Sequence, residues 1–258
     1  MSLFEQVYRG ISSVSVNLPG EGDVLINSGA EPEQVRCTIE EWDANDPYAL
    51  RVEQRDDRLT ISADRVWGRG SNSDVFLEVP AGLDVEVTTQ SGDVVINAEL
   101  GSSRIVTGSG DIAVGTARAL SAKSGSGDVA AGTVAEAAEV TTGSGDIVIR
   151  EANGPVTAKS GSGDVQLARL RSATLSVSTG SGDISAASTT GSVDLRSASG
   201  SIEVGVADGL PAWLDLNTVN GDITIDLDAS QQPEEGKPYV TVRCRTASGG
   251  IDIHRARD

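Results

Sequence analysis

The sequence repeats the tripeptide Ser-Gly-Asp about every 18 residues over most of its length, with single replacements in the last three copies. We take the Asp of this motif as position zero of each repeat. The zero positions are Asp93, Asp111, Asp128, Asp146, Asp164, Asp183, Ser201, Asp222 and Gly250, separated by 18, 17, 18, 18, 19, 18, 21 and 28 residues. A repeat of this length predicts one supersecondary unit that buries its apolar side chains only against its neighbours.

The positions around the motif keep their residue type from repeat to repeat. Position −4 is always Ser or Thr, position −6 is always apolar or Cys, and positions +1 and +3 are always apolar. Apolar and polar residues therefore alternate on both sides of the motif, which predicts two strands that each bury one face. The parity changes across the motif, so we expect the chain to turn a corner there.

The corner residues suggest how the turn is made. Glycine adopts backbone angles that other residues avoid, and Asp bonds its own neighbouring amides in an Asx turn. We therefore expect both residues to serve the geometry of the corner. The glycines at position −1 are Gly92, Gly110, Gly127, Gly145, Gly163, Gly182, Gly200, Gly221 and Gly249.

Equivalent positions form continuous columns if successive repeats stack in register. The sequence thus predicts an all-β, parallel β-solenoid (β-helix-like) of about nine rungs, in which each coil bonds its sequence neighbours above and below. A sandwich of 18-residue hairpins is the alternative. It explains the alternation but not the columns of Gly and Ser/Thr.

The two ends depart from the repeat. Residues 1–83 are predicted to form an N-terminal β cap, with a degenerate corner at Gly22-Asp23, and residues 84–258 the solenoid with an acidic insertion at 226–238. An open solenoid end exposes core and strand edges, and large aromatics are suited to covering it. Trp213 and Tyr239 flank the insertion and are predicted to cover the C-terminal end. The N-terminal region holds Phe4, Tyr8, Trp42, Tyr48, Trp67 and Phe76.

The formal net charge of −18 bears on partners and location. Nucleic-acid binding needs cationic groups that displace counterions from phosphates, so this charge argues against it. The start of the sequence shows no basic segment followed by an apolar stretch, and no apolar run approaches the roughly 20 residues of a membrane helix. We expect no membrane insertion and a cytoplasmic location, with association to the cell envelope left open.

Few residues offer chemistry. His254 is the sole histidine and is expected at the surface, and no cluster has the spacing of a zinc site or a phosphate loop. Residues 84–212 contain no Phe, Tyr or Trp, which argues against a glycan groove along the repeats. The two cysteines, Cys37 and Cys244, are expected to be free thiols. We predict no catalytic residues, no cofactor and no enzymatic activity.

The aspartate column offers one candidate metal site. Stacked coils place its carboxylates about 4.8 Å apart, where like charges repel by about 1 kcal/mol in water. Backbone N–H groups that donate to the carboxylates would relieve this repulsion, and so would Ca²⁺ ions that bridge them. We favour the structural role and keep calcium as the alternative. The candidate ligands are Asp111, Asp128, Asp146 and Asp164.

The motif Thr142-Gly143-Ser144-Gly145-Asp146-Ile147 and the lead-in Leu77-Glu78-Val79-Pro80-Ala81-Gly82-Leu83 resemble a bacterial family over about residues 75–253. This is the "putative adhesin" family of β-strand-repeat proteins, a domain of unknown function. The resemblance implies a β-helix-like fold, no established catalytic residues, and a role in adhesion or at the cell envelope.

Three functions are compatible with these features. The first is a non-enzymatic binding or scaffold module that contacts a protein partner. The second is a structural polymer, in which solenoids self-associate end to end as in bactofilin filaments. The third is an acidic β-helix that acts on polysaccharides.

Overall fold

The computed structural model describes residues 2–29, 31, 33–41, 50–63, 73–171, 174–227 and 239–256. All regular elements of these residues are β-strands, 23 in number, as the alternating pattern predicts. The chain divides into two compact units, residues 1–130 and residues 131–258. The parallel β-solenoid predicted from the sequence is confirmed.

The first unit contains the strands up to the third repeat. They are β1 (Ser2–Arg9), β2 (Ser13–Leu18), β3 (Val24–Ser28), β4 (Gln34–Glu41), β5 (Arg51–Arg55), β6 (Arg58–Ser62), β7 (Ser73–Val79), β8 (Leu83–Thr89), β9 (Val94–Thr107) and β10 (Ile112–Ser124). The next strand, β11 (Val129–Val134), crosses the boundary between the units.

The second unit contains the remaining strands. They are β12 (Ala138–Thr142), β13 (Ile147–Ala152), β14 (Val156–Ser160), β15 (Val165–Leu170), β16 (Thr174–Ser181), β17 (Ile184–Thr189), β18 (Ser192–Ser199), β19 (Ile202–Val206), β20 (Ala212–Asn220), β21 (Ile223–Asp226), β22 (Val240–Ser248) and β23 (Ile251–Arg255).

The coils of the second unit stack as parallel strands on either side of the corner. Strands β12, β14, β16 and β18 pair in that order before the corner, and β13, β15, β17 and β19 pair after it. At position +1, Ile147 lies opposite Val165 and Val165 lies opposite Ile184. All three are buried, so the apolar columns form a thin aliphatic core.

The first unit contains an additional coil that precedes the regular repeats. Strand β2 pairs in parallel with β6 and β8, and β3 pairs in parallel with β7 and β9. Gly22-Asp23 therefore makes a full corner between β2 and β3. The predicted boundary at residue 83 separates strands that pair with each other, because β2 and β8 lie on opposite sides of it.

The far side of strands β6 and β7 is covered by antiparallel strands. Strand β4 pairs with β7 and β1 pairs with β4, while β5 pairs with β6. Strand β4 contributes Val35, Cys37 and Ile39, all buried. Of the aromatics predicted to plug this region, Trp42, Tyr48 and Trp67 lie outside the described residues, while Tyr8 is buried and Phe4 is exposed.

The last coils do not stack in chain order. Strand β22 pairs with both β18 and β20, and β23 pairs with both β19 and β21. Residues 240–255 therefore lie between the coil of residues 192–206 and the coil of residues 212–226. The sequence-order stacking predicted for this end is wrong, because identical columns let a later coil occupy the inner place. Residues 228–238 of the predicted acidic insertion lie outside the described residues.

Candidate functional site

The hydroxyl at position −4 links its own corner to an adjacent coil, as one repeat of each unit shows. In the second unit, Ser160 Oγ donates to the carbonyl of Gly145 over 3.0 Å and accepts the N–H of Gly163 over 2.8 Å. In the first unit, Ser124 makes the same two bonds to Gly110 and Gly127. The hydroxyls are buried, and Ser or Thr is present because a buried donor and acceptor both find partners there.

The glycine at position −1 is required by stacking rather than by backbone angles. Among the described corner glycines, only Gly249 has a positive φ, of 143°. A Cβ added to Gly163 would fall on the carbonyl oxygen of Gly145, closer than real Cβ atoms approach any heavy atom. The prediction that unusual backbone angles explain this column is therefore wrong for residues such as Gly163.

The aspartate at position zero links successive coils. In the first unit, Asp23, Asp93 and Asp111 each accept, through Oδ1, the backbone N–H of the next residue in the column over 2.8 Å. In the second unit, the N–H of Asp183 donates to Asp164 Oδ1 over 2.8 Å, and Ser201 donates to Asp183 over 2.7 Å. The carboxylates are thus acceptors as expected, but their donors belong to the adjacent coil and not to their own turn.

The calcium candidates occupy this ladder. Oδ1 of Asp111 accepts the N–H of Asp128, and Oδ1 of Asp146 accepts the N–H of Asp164 over 2.8 Å. Over the described part of the chain, no group of three or more His, Cys, Asp or Glu side chains is placed to hold a metal ion. The carboxylates accept hydrogen bonds from backbone N–H groups. Calcium binding by them stays a hypothesis.

The only histidine lies beside two carboxylates. His254 Nδ1 is 3.2 Å from Oδ1 of Asp252, and Nε2 is 3.7 Å from Oε1 of Glu203. Its side chain is 28% exposed, a partly exposed position at the surface. These groups line part of a groove of about 1360 Å³ over strands β15, β17, β19, β21 and β23.

Both cysteines are free and buried. Burial raises the pKa of the Cys37 thiol to about 12. Burial also raises the pKa of the Cys244 thiol to about 12, with a further contribution from the charge of Asp194. A thiolate is the reactive form, so both thiols are inert inside the fold.

The most exposed apolar surface of the second unit lies on the coil of residues 212–226. Ile223 and Ile225 are 44% and 52% exposed, whereas Ile251 and Ile253, at the same positions of the adjacent coil, are at most 1% exposed. Strand β21 pairs with β23 along one edge, and no described strand pairs with its other edge. We call β21 and this uncovered edge the open end.

Neither flanking aromatic covers the open end. Trp213 and Tyr239 are 50% and 49% exposed, so the cover predicted for them is absent from the described part of this end. The sequence placed Ile223 and Ile225 in the core columns but contained no signal that their coil is terminal. Asp222 and Asp226 border the open end and line the groove together with Asp252.

Stacked parallel coils joined by Ser-Gly-Asp corners define the chain as a β-solenoid of the adhesin-like class. The profile of the Toastrack DUF4097 family matches residues 11–254, and the chain belongs to this family. A comparison with curated protein sequences finds no match. The resemblance inferred from the repeat motif is thereby confirmed.

Solved structures with the same fold include proteins from Bacteroides fragilis and Parabacteroides distasonis. A protein named putative adhesin from Bacteroides fragilis has 17% identity and a TM-score of 0.51, covering 98% of this chain and 97% of that chain. A putative adhesin from Parabacteroides distasonis has 14% identity and a TM-score of 0.54, covering 97% of both chains. A protein from the same species named putative lipid binding protein has 14% identity and a TM-score of 0.53, covering 97% and 96%. At these identities the similarity concerns the fold alone.

The described residues contain no helix with the length and apolar character needed to cross a bilayer.

Proposed function

We propose that the chain is a non-enzymatic binding module of the adhesin-like class and that its open end contacts a protein partner. The observation that carries the proposal is the exposure of Ile223 and Ile225, two residues of the core columns. Solvent-exposed apolar side chains beside an unpaired strand edge are typical of interaction sites. The names of the structural neighbours agree with a role in binding.

The rest of the stack is suited to hold this end rigidly. In the second unit, the hydroxyls of Ser160 and Thr179 and the carboxylates of Asp146, Asp164 and Asp183 bond adjacent coils. Binding sites supported by rigid elements lose less conformational entropy when the partner arrives. A stack of this kind therefore functions as a scaffold for a site at its end.

The proposal is tested by comparative capture from the cells that make the protein. The immobilised native chain is compared with Ile225→Asp, which places a charge on the open end. It is also compared with Thr88→Asp, which places the same charge on an exposed position of β8. We expect a protein that is retained by the native chain and by Thr88→Asp and is lost with Ile225→Asp. Direct binding of that purified protein then confirms the contact.

Two results would contradict the proposal. One is equal retention of every captured protein by the native chain and Ile225→Asp. The other is retention of the chain itself as the only partner, together with concentration-dependent growth in sedimentation, which would favour the structural polymer.

A further inference from the structure

In the first unit, strand β7 has the cover that strand β21 of the open end lacks. Strand β7 pairs with β3 so that Val75 lies opposite Val24 and Leu77 lies opposite Ile26. Val75 and Leu77 therefore hold positions +1 and +3, as Ile223 and Ile225 do at the open end. Antiparallel strand β4 lies on β7, with Ile39 opposite Val75 and Cys37 opposite Leu77. Val75 and Leu77 are at most 1% exposed under this cover.

Strand β4 also shows which charged residues lie opposite positions zero and +4 of the strand that it covers. Arg36 of β4 lies opposite Glu78, at position +4, and its Nε is 3.3 Å from Oε2 of that glutamate. The residue at position +4 of the open end is Asp226, also acidic. Glu40 of β4 lies opposite Asp74, at position zero, whose counterpart at the open end is Asp222. The cover of the first unit thus supports a cation opposite Asp226, as Arg36 lies opposite Glu78. Opposite Asp222 the cover offers no such model, and there a cation is favoured by the charge of Asp222 itself.

We propose, on the basis of the binding function above, that the open end accepts one extended segment of another protein as an antiparallel strand along β21. The segment has the pattern basic–apolar–any–apolar–basic. Its two apolar residues cover Ile225 and Ile223, and its basic residues face Asp226 and Asp222. The main-chain pairing supplies affinity and the alternating side chains supply selectivity, as in other cases of strand addition.

Other occupants fit these contacts less well. Residues 228–238 have the sequence Asp-Ala-Ser-Gln-Gln-Pro-Glu-Glu-Gly-Lys-Pro, which contains one apolar side chain besides its two prolines and no alternating pair of apolar residues. Proline lacks the N–H that a strand donates. A second copy of the chain brings a net charge of −18 toward Asp222 and Asp226, so charge opposes that association.

The test uses the full chain and a labelled nine-residue peptide with the core Arg-Val-Thr-Ile-Lys. A matched peptide with the core Glu-Val-Thr-Ile-Glu keeps the apolar residues and reverses the charges. Fluorescence anisotropy measures binding, and amide hydrogen exchange locates it. We expect the basic peptide to bind at least tenfold more tightly than the acidic one and to slow exchange in residues 223–226.

Variants of the chain complete the test. Ile225→Asp is expected to weaken binding of the basic peptide at least tenfold, and Asp226→Asn, which keeps the apolar surface, to weaken it by a smaller factor that vanishes at high salt. Thr88→Asp is expected to bind like the native chain. Because Ile225 is already half-exposed, its variant should fold, and the thermal transition verifies this.

The outcomes separate the two proposals. Equal binding of both peptides, or protection outside residues 223–226, overturns strand addition by a basic segment. If the basic peptide does not bind while capture of a cellular protein still depends on Ile225, the binding function stands and only the strand proposal is wrong. If Ile225→Asp changes neither peptide binding nor capture, both proposals are wrong.

Discussion

The backbone N–H of Asp183 donates to Oδ1 of Asp164 over 2.8 Å, so a side chain of one coil holds the corner of the next. The same relationship joins Asp93 to Asp111 in the first unit. A carboxylate that accepts an amide is a stronger acceptor than a neutral oxygen. Each Asp thus contributes to the register between coils and offsets part of the repulsion along its own column.

Replacing Asp164 tests this contribution. We expect Asp164→Ala to lower the free energy of unfolding by about 1–2 kcal/mol, because the N–H of Asp183 loses its acceptor. Asp164→Asn keeps an oxygen in place and should lose less. Urea unfolding measures both losses, with Gln166→Ala, at an exposed position of β15, as the control. Equal losses for the alanine variants at 164 and 166 would show that the bond is unimportant.

Calcium should leave the stability of the protein unchanged. One oxygen of Asp111, Asp146 and Asp164 is already used by a backbone amide, which relieves the need for a bridging cation. We expect the melting temperature in millimolar Ca²⁺ to match that in equal Mg²⁺ within about 1 °C. A larger rise that is specific to calcium and lost in Asp146→Asn would favour the ion hypothesis.

The corner glycine should not tolerate a methyl group. In Gly163→Ala the new Cβ meets the backbone carbonyl of Gly145, and the two coils must separate to make room. We expect a loss of about 3 kcal/mol or failure to fold. Gly250→Ala is the matched control in the same unit, because a Cβ at Gly250 meets its nearest atom, the carbonyl oxygen of Asp222, at an ordinary 3.5 Å. Similar stabilities of the two variants would contradict the stacking explanation.

Ser103 stands at position −8, which is apolar in every other repeat. This buried residue lies between Val85 and Leu120, and its Oγ makes no hydrogen bond. Ser103→Ala and Ser103→Val should each stabilise the fold by about 1 kcal/mol, since an unpaired buried hydroxyl is removed. Ser160→Ala, which removes a hydroxyl with two partners, should destabilise it. Thermal and urea unfolding measure these changes in stability. Destabilisation by both substitutions at position 103 would show that the unpaired hydroxyl is not a cost to the fold.

The buried thiols make stability depend on alkaline pH. The pKa of Cys244 is about 12 in the folded chain, above the ordinary 9.0, so the unfolded chain ionises first. The protonated Cys244 thiol makes its full contribution to the free energy of unfolding below pH 9, and this contribution is lost as the pH rises from 9 toward 12. We expect the free energy of unfolding to fall over this range, and less steeply in Cys244→Ala. A thiol reagent should modify the native protein only at the rate of unfolding, whereas rapid labelling at pH 8 would contradict burial.

The columns of the repeat were sufficient to predict the fold and the burial of positions such as Ile147 and Val165. They were insufficient for the order of the last coils, because every coil carries the same columns and stacks equally well on any other. The role of Gly163 could not be predicted either. A repeated glycine does not reveal whether a positive φ or a close contact with the adjacent coil excludes a side chain. The open end follows from coil order, and it was missed for that reason.

The intercalated order of the final coils also affects how the protein assembles. Residues 212–226 leave the ribosome before residues 240–255, on which they pack. Until residues 240–255 are made, the edge of residues 192–206 on which they pack is unpaired. If residues 212–226 pair with that edge first, they must leave it again before residues 240–255 can bind there. Maturation of this end is therefore expected to include a slow rearrangement that the regular coils, which add in the order of synthesis, do not need.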